Sequence, residues 1–370
     1  MKNNLLAGLS TQQFLHEYWQ KKPLLIRQAI PGFKGFLNQQ KMTQLACQED
    51  VQSRLVQFKN EWTLNEGPFN KSDLKKLQGH WTLLVQGINY LLPEGDALLK
   101  KFNFIPYARL DDLMVSFAPD QGGVGPHFDS YDVFLLQGPG RRRWQISKQK
   151  DLRLVPNIPL KILKNFKPTE EYVLESGDML YLPPNYAHNG IAEGDCMTYS
   201  IGFRAPHYQE IISEFLIYLQ DHLKIEGIYQ DPDIKATKQP ARIPSLMMDK
   251  VSAVLNKINY NKNDIEIFWG KYLTEPKAHI FFDSPDIPLA KQDFIKSAKK
   301  HGIQLNIKTN MLYTTKMFFI NGEVCSFNTC AKDVKQLADK RSIDGSSPLV
   351  SKMGDFLYEC YLNGYLEIKL

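Results

Sequence analysis

An α+β fold built around a closed β structure, a double-stranded β-helix of the jelly-roll type, is what the sequence predicts. Three observations predict it. Short apolar strand patterns bounded by Gly and Pro turns crowd the middle of the chain. A His-x-Asp pair, His127 and Asp129, opens one of them, and a second histidine, His188, follows the end of another. Patterns with a three-to-four-residue period, the mark of helices, flank this β region on both sides.

The elements follow in order. Ser10-x-x-Gln13 is a capping-box pattern. Phe14, Leu15, Tyr18 and Trp19 come after it at helical spacing, which predicts an outer helix packed on the barrel. The first half of the β signature runs from Gln121-Gly122-Gly123-Val124-Gly125-Pro126 into His127-Phe128-Asp129 and the apolar run Val133-Phe134-Leu135-Leu136. Gly138-Pro139-Gly140 then turns the chain into Arg141-Arg142-Arg143-Trp144, the start of a basic strand. In the second half, Gly177-Asp178 is a turn and Met179 to Leu182 a strand, and Pro183-Pro184 ends that strand before His188.

Beyond residue 206 the pattern turns helical. Ile211, Ile212, Phe215, Leu216, Tyr218 and Leu219 keep one face, and Leu246, Met247, Val251, Val254, Leu255 and Ile258 resume it after a Pro-containing connector, 231–244. From about 273 the chain offers a Lys-rich helix near Gln292–Lys300 and a hairpin around Asn321-Gly322. Helices near Ala331–Lys340 and Pro348–Asn363 complete a small winged-helix-like module. The expected domains are therefore 1–206, 207–272 and 273–370.

Two imidazoles and a carboxylate are the ligand set of a facial-triad iron site. On a strand, residues i and i+2 share a face, so His127 and Asp129 are expected to aim into one cavity. Two short strands across a closed β structure would bring His188 opposite them. Such a triad leaves open positions on Fe(II) for a co-substrate and dioxygen. His-x-Asp alone is a weak signal; the Gly-rich loop, which lets backbone approach a metal closely, and the second histidine strengthen it.

Composition narrows the classes. At 370 residues with 43% hydrophobic and 23% charged side chains, the chain has the make-up of a globular protein with a sizeable core. No apolar run approaches the roughly 18 residues of a membrane span. The segment from Met1 to Gly8 carries too short an apolar stretch for a secretory signal. Five scattered cysteines argue against a disulfide framework and for a reducing cytoplasm. Cys325-x4-Cys330 would be half a zinc site, but no second pair supports it. A net charge of +5 comes without any basic motif interleaved with aromatics, so direct nucleic-acid binding is not expected.

With these residues in view, the chain resembles the bacterial ribosomal oxygenases of the JmjC type, the YcfD-like ribosomal protein arginine hydroxylases. The resemblance rests on Phe14-Leu15-His16-Glu17-Tyr18-Trp19-Gln20-Lys21-Lys22-Pro23 and on Asp111-Asp112-Leu113-Met114-Val115-Ser116-Phe117. It rests also on the Gly-rich loop joined to the His-x-Asp pair and the arginine tract, and on Tyr199-Ser200-Ile201-Gly202-Phe203-Arg204-Ala205-Pro206. It covers nearly the whole chain. It implies a cupin-like JmjC domain, a helical dimerisation region, a C-terminal winged-helix-like domain, Fe(II), and 2-oxoglutarate and O2 as co-substrates. It implies too a homodimer acting in the cytoplasm on the β-carbon of an arginine in ribosomal large-subunit protein sixteen.

Residue by residue, His127, Asp129 and His188 match the metal triad. Strand alternation sends Arg142 to one face and Arg141 and Arg143 to the other. Arg142 matches the family's 2-oxoglutarate anchor, a guanidinium forming paired hydrogen bonds to a carboxylate, and Ser116 matches a hydroxyl that touches the same co-substrate. A target guanidinium calls for a carboxylate and hydroxyls, for which Asp111, Ser200 and Tyr131 are the candidates. The chain departs from the pattern at Thr198, where an Asn is expected. Two other readings stay open: the same chemistry on a histidyl residue, and a non-enzymatic cupin-like binding module.

Overall fold

The computed structural model of the chain describes residues 5–325 and 330–369. Met1 to Asn4, half of the segment read for a secretory signal, lie outside them. Eleven strands build the N-terminal region: β1 (Leu24–Ile26), β2 (Ser53–Lys59), β3 (Glu61–Glu66), β4 (His80–Val85), β5 (Leu110–Ala118), β6 (Val133–Gln137), β7 (Arg141–Ser147), β8 (Glu170–Leu174), β9 (Met179–Leu182), β10 (Ala187–Glu193) and β11 (Cys196–Phe203). They form a large sheet of order β1-β9-β6-β11-β5-β4-β2-β3 and a small one of order β10-β7-β8. All pairings are antiparallel, the meander of a double-stranded β-helix.

Alternation along the strands divides the large sheet into two apolar faces. One carries Val115, Phe134, Tyr181, Tyr199 and Ile201 and packs on Phe14 of the first helix, Met42 and Phe102. Phe134 is fully buried, with the rings of Phe102, Tyr181 and Phe14 at 5.0, 4.9 and 5.5 Å. Truncating a ring in such a place costs roughly 3–5 kcal/mol. The other face carries Leu135, Leu180 and Leu182 and meets Trp144, Ile146 and Leu174 of the small sheet. That second, inter-sheet layer is the one that holds the site.

The first helix, Thr11–Glu17, begins with the expected box: Gln13 N donates to Ser10 Oγ at 3.2 Å and Ser10 N to Gln13 Oε1 at 2.9 Å. The chain forms two compact units. One comprises Met1–Ala205, Pro276–Thr309 and Lys332–Leu370; the other comprises Pro206–Glu275 and Asn310–Ala331. Beside the β-helix, the first unit holds a three-stranded sheet (Ile303–Leu305 between Ser342–Ile343 and Leu366–Ile368) with helices Lys291–His301, Pro348–Lys352 and Gly354–Leu362. The single helix expected over 348–363 is thus broken: Met353 leaves the helical region at φ −125° and Gly354 restarts it.

The second unit holds the helices Tyr208–His222, Ser245–Leu255 and Lys262–Thr274, with a sheet of Met311–Tyr313, Phe318–Ile320 and Glu323–Cys325. Its hairpin turns at Asn321 and Gly322, both at positive φ (48° and 85°), as an Asn-Gly turn of the primed type requires. No helix among the described residues is long and apolar enough to cross a membrane.

Candidate metal centre and active site

The Gly-rich loop does not form a strand but runs as an irregular one along the free edge of β10. Gln121 N donates to Ala192 O and Ala192 N to Gly122 O, both at 2.9 Å. A Cβ at Gly123 would stand 2.6 Å from the Gly190 carbonyl oxygen, and Gly125 sits at φ 79°, so both positions need glycine. The loop ends in a reciprocal backbone pair, His127 N to His188 O at 2.9 Å and His188 N to His127 O at 2.8 Å. The two histidines are therefore neighbours in one sheet, not residues facing each other across the barrel.

Past His127 the expected strand alternation stops. Residues 128–132 form a bend, and β6 begins only at Val133. Asp129 reaches the histidines because its carbonyl accepts from Asn185 N at 2.7 Å. The end of the bend is fixed by Asp132, fully buried, which accepts from Tyr181 Oη at 2.6 Å and Gln20 Nε2 at 2.9 Å. Tyr131, expected on the same strand face as Asp129, instead lies on this bend and is partly exposed. Partial burial, then the Asp129 carboxylate, raises its phenol above the ordinary range.

The donor atoms of His127, Asp129 and His188 lie within 4.8 Å of one another. Each histidine has Nδ1 2.9 Å from a backbone carbonyl, Gly125 O for His127 and Tyr186 O for His188. A carbonyl only accepts, so Nδ1 carries the proton and Nε2 presents a lone pair. His188 Nε2 is 3.7 Å from Asp129 Oδ2. The donor set and its outer-shell carbonyls fit a divalent metal of the facial-triad kind. Among the described residues, the pair Cys325 and Cys330 belongs to no comparable cluster.

Burial, and next the neighbouring His127, pushes His188 down to about 4, so it is neutral at pH 7 and ready to ligate. The sign for stability follows from the bound protons. Between the ordinary value of about 6.5 and the folded value, the unfolded chain holds the extra proton. Metal-free protein should therefore lose stability as pH falls from about 6.5 toward 4, by this residue's share, and keep that share in full above the window. Urea midpoints for metal-free wild type and His188→Gln between pH 7 and 5 would check it: the variant should show the shallower loss.

Arg142 lies on the same inward face of the small sheet. It pairs with Ala192, four residues from His188 on β10, or roughly 13 Å along the strand. It is 3% exposed and its Nε donates to Cys196 Sγ at 3.5 Å, yet its buried Nη2 has no partner. A buried guanidinium nitrogen left free costs stability unless an anion meets it, which is what a dicarboxylate reaching up from the metal would do. Arg141 and Arg143 turn outward to Glu193 at 3.1 and 3.4 Å.

Ser116 and Thr198 are opposite each other on β5 and β11, buried on the inward face of the large sheet. Thr198 Oγ1 is 3.4 Å from Gln137 Oε1, so this is where the departure at 198 is absorbed. Ser200 shares that face, two residues nearer the metal end, and is 7% exposed.

Asp111 is half-buried and held from outside, its Oδ1 2.9 Å from Lys277 Nζ and 3.8 Å from Arg204 Nε. The carboxylate beside it was not singled out by the sequence. Asp112 is buried, accepts from Gly87 N at 3.1 Å, and has its Oδ1 3.7 Å from where a Cβ on Gly202 would stand, beside the Tyr131 ring. Alternation from the inward Ser116 through Met114 puts Asp112 on the same face, and the register shift between β5 and β11 at Ile201/Phe203 is what keeps Asp111 beside it. Trp144 is a second omission: its ring fills the space over Gly190, with a buried, unpartnered Nε1.

A paired sheet structure with an inward His-x-Asp…His set and an inward arginine defines a JmjC-type oxygenase, and the comparisons agree. Residues 97–211 match the JmjC domain family and 249–367 the ROXA-like winged helix. The chain is 34% identical over 298 residues to the ribosomal protein uL16 3-hydroxylase of Escherichia coli, covering 80% of this chain and 79% of that one. It is 39% identical over 235 residues to a probable ribosomal oxygenase of Haemophilus influenzae, covering 62% and 56%. The solved structure of Escherichia coli YcfD with cobalt and 2-oxoglutarate superimposes with a TM-score of 0.82 at 28% identity, over 98% of this chain and 99% of that one. The chain belongs to the bacterial JmjC-type ribosomal oxygenases, the YcfD-like family, whose chemistry depends on Fe(II) and 2-oxoglutarate.

Proposed function

We propose that the protein hydroxylates the β-carbon of an arginine in ribosomal protein uL16, using Fe(II), 2-oxoglutarate and O2. The observation that carries this reading is one inward face with three metal donors at one end and a free buried guanidinium nitrogen at the other. His127, Asp129 and His188 would hold the iron, and Arg142 and Ser116 the far carboxylate of the co-substrate. When bound, iron with 2-oxoglutarate activates O2 for insertion into an unactivated C–H bond. The chain's part is to bind, orient and exclude water. Arg142 fixes the co-substrate's direction, and Trp144 closes the layer behind it. Asp111, Asp112, Ser200 and Tyr131 offer the charge, hydroxyl and aromatic face that a planar cation takes up. A guanidinium can meet the inward Oδ1 of Asp112 with a charge-assisted hydrogen bond, a stronger partner than a neutral imidazole, which favours arginine over a histidyl target. The reading as a non-enzymatic module gives no use for the free nitrogen of Arg142.

The test is mass spectrometry of uL16 after incubation with enzyme, Fe(II), 2-oxoglutarate and air. One added oxygen on one arginine is expected, with succinate formed in step. Succinate without modified uL16 would move the target to another protein.

Dimerisation through the helical region is part of the same proposal. Tyr208, Ile212 and Leu216 stand four residues apart on one helix, 86%, 52% and 56% exposed, and Val251 and Leu255 are 43% and 59% exposed on another. Open apolar stripes of this kind mark a protein–protein surface. The double substitution Ile212→Asp, Leu216→Asp should convert a dimer to a monomer in light scattering after gel filtration; an unchanged mass would remove these helices from the interface. A uL16 substrate places the enzyme in the cytoplasm, meeting a protein surface and neither nucleic acid nor membrane.

A further inference from the structure

We propose that Lys277 is a positioning residue for the substrate-binding carboxylates, clamping Asp111 and Asp112 side by side at the metal end of the β-helix. The inference rests on the reading of those carboxylates as the arginine's partners. Consecutive acids on a strand would normally diverge and repel. Here the shifted register opposite Gly202 brings them together, and one ammonium spans both: Lys277 Nζ is 2.9 Å from Asp111 Oδ1 and 3.8 Å from Asp112 Oδ2.

The geometry divides the two oxygens of Asp112. Asp112 Oδ2 faces Lys277 and the Gly87 amide, the Gln86 side chain also hydrogen-bonds to this carboxylate, and Oδ1 faces the space over Gly202 beside Tyr131. Lys277 therefore grips the pair from behind and leaves the inward oxygen for a ligand. Burial favours the neutral acid at Asp112, and Lys277 is the largest opposing influence. A lysine suits this role because it is a compact charge on a flexible stem, able to follow the carboxylates as a guanidinium docks. Lys277 lies within the stretch matched by the ROXA-like winged helix, so this part of the chain supplies a residue to the substrate end of the oxygenase site.

The experiment uses full-length, iron-loaded enzyme and uL16. Lys277→Met keeps the stem and removes the charge. It should raise KM for uL16 about tenfold, hold kcat within about twofold, and leave the Kd for 2-oxoglutarate, titrated anaerobically, unchanged; Lys277→Arg should restore KM. A merely structural lysine would move the melting temperature and the 2-oxoglutarate Kd as well, with no rescue specific to charge. Asp112→Asn is measured in parallel. If it raises KM for uL16 while Lys277→Met does not, the role of Lys277 falls and the carboxylate reading stands. If neither does, the carboxylate reading itself fails. A lowered KM in Lys277→Met would make the lysine a competitor for the carboxylates and overturn the proposal.

Discussion

Asp129→Ala is expected to abolish the proposed hydroxylation of uL16 while leaving the protein folded. The carboxylate contributes the third donor to a cluster whose atoms lie within 4.8 Å, and two imidazoles alone leave a divalent cation weakly held. Losing several kcal/mol of metal-centred stabilisation corresponds to a drop of roughly 10³-fold or more in turnover. Folding survives because the bend carrying Asp129 is tied down by backbone and by Asp132, not by the Asp129 side chain. Metal content by elemental analysis, beside a circular dichroism melt, checks both halves. A variant that keeps its iron and turns over would remove Asp129 from the ligand set.

Arg142→Ala is the second large effect, and it falls on the co-substrate. Charge-assisted hydrogen bonds are worth about 1.5–3 kcal/mol, so KM for 2-oxoglutarate should rise on the order of 10- to 100-fold. Arg142→Lys should recover little, because an ammonium cannot reproduce the paired geometry. KM for uL16 measured at saturating 2-oxoglutarate should stay near wild type, which separates anchor loss from general damage. An unchanged KM for 2-oxoglutarate would assign the anchor elsewhere, with Ser116 and Trp144 Nε1 as buried donors on the inward faces.

The sequence was legible wherever a local rule governed. Alternation on β7 buries Arg142 and turns Arg141 and Arg143 out; the capping box opens the first helix; Asn321-Gly322 makes the hairpin turn. It was illegible where tertiary pairing overrode those rules. His127 and Asp129 share a side through a bridge and a bend, although their spacing reads as a strand. Asp112 shares the face of Ser116 by alternation, whereas Asp111 stays beside it only through a register shift against β11, more than 80 residues away in sequence, which no local pattern announces. Lys277 had no local signal at all, because its partners are set only by how the chain returns to the β-helix.

The reciprocal hydrogen bonds between His127 and His188 have a consequence for the life of the enzyme. Both imidazoles are carried on main chain fixed by backbone hydrogen bonds rather than by their metal-facing nitrogens, so the fold itself sets where the two ligands stand. A cell short of iron would then carry idle but intact enzyme, and ribosome modification would resume on resupply with no new synthesis.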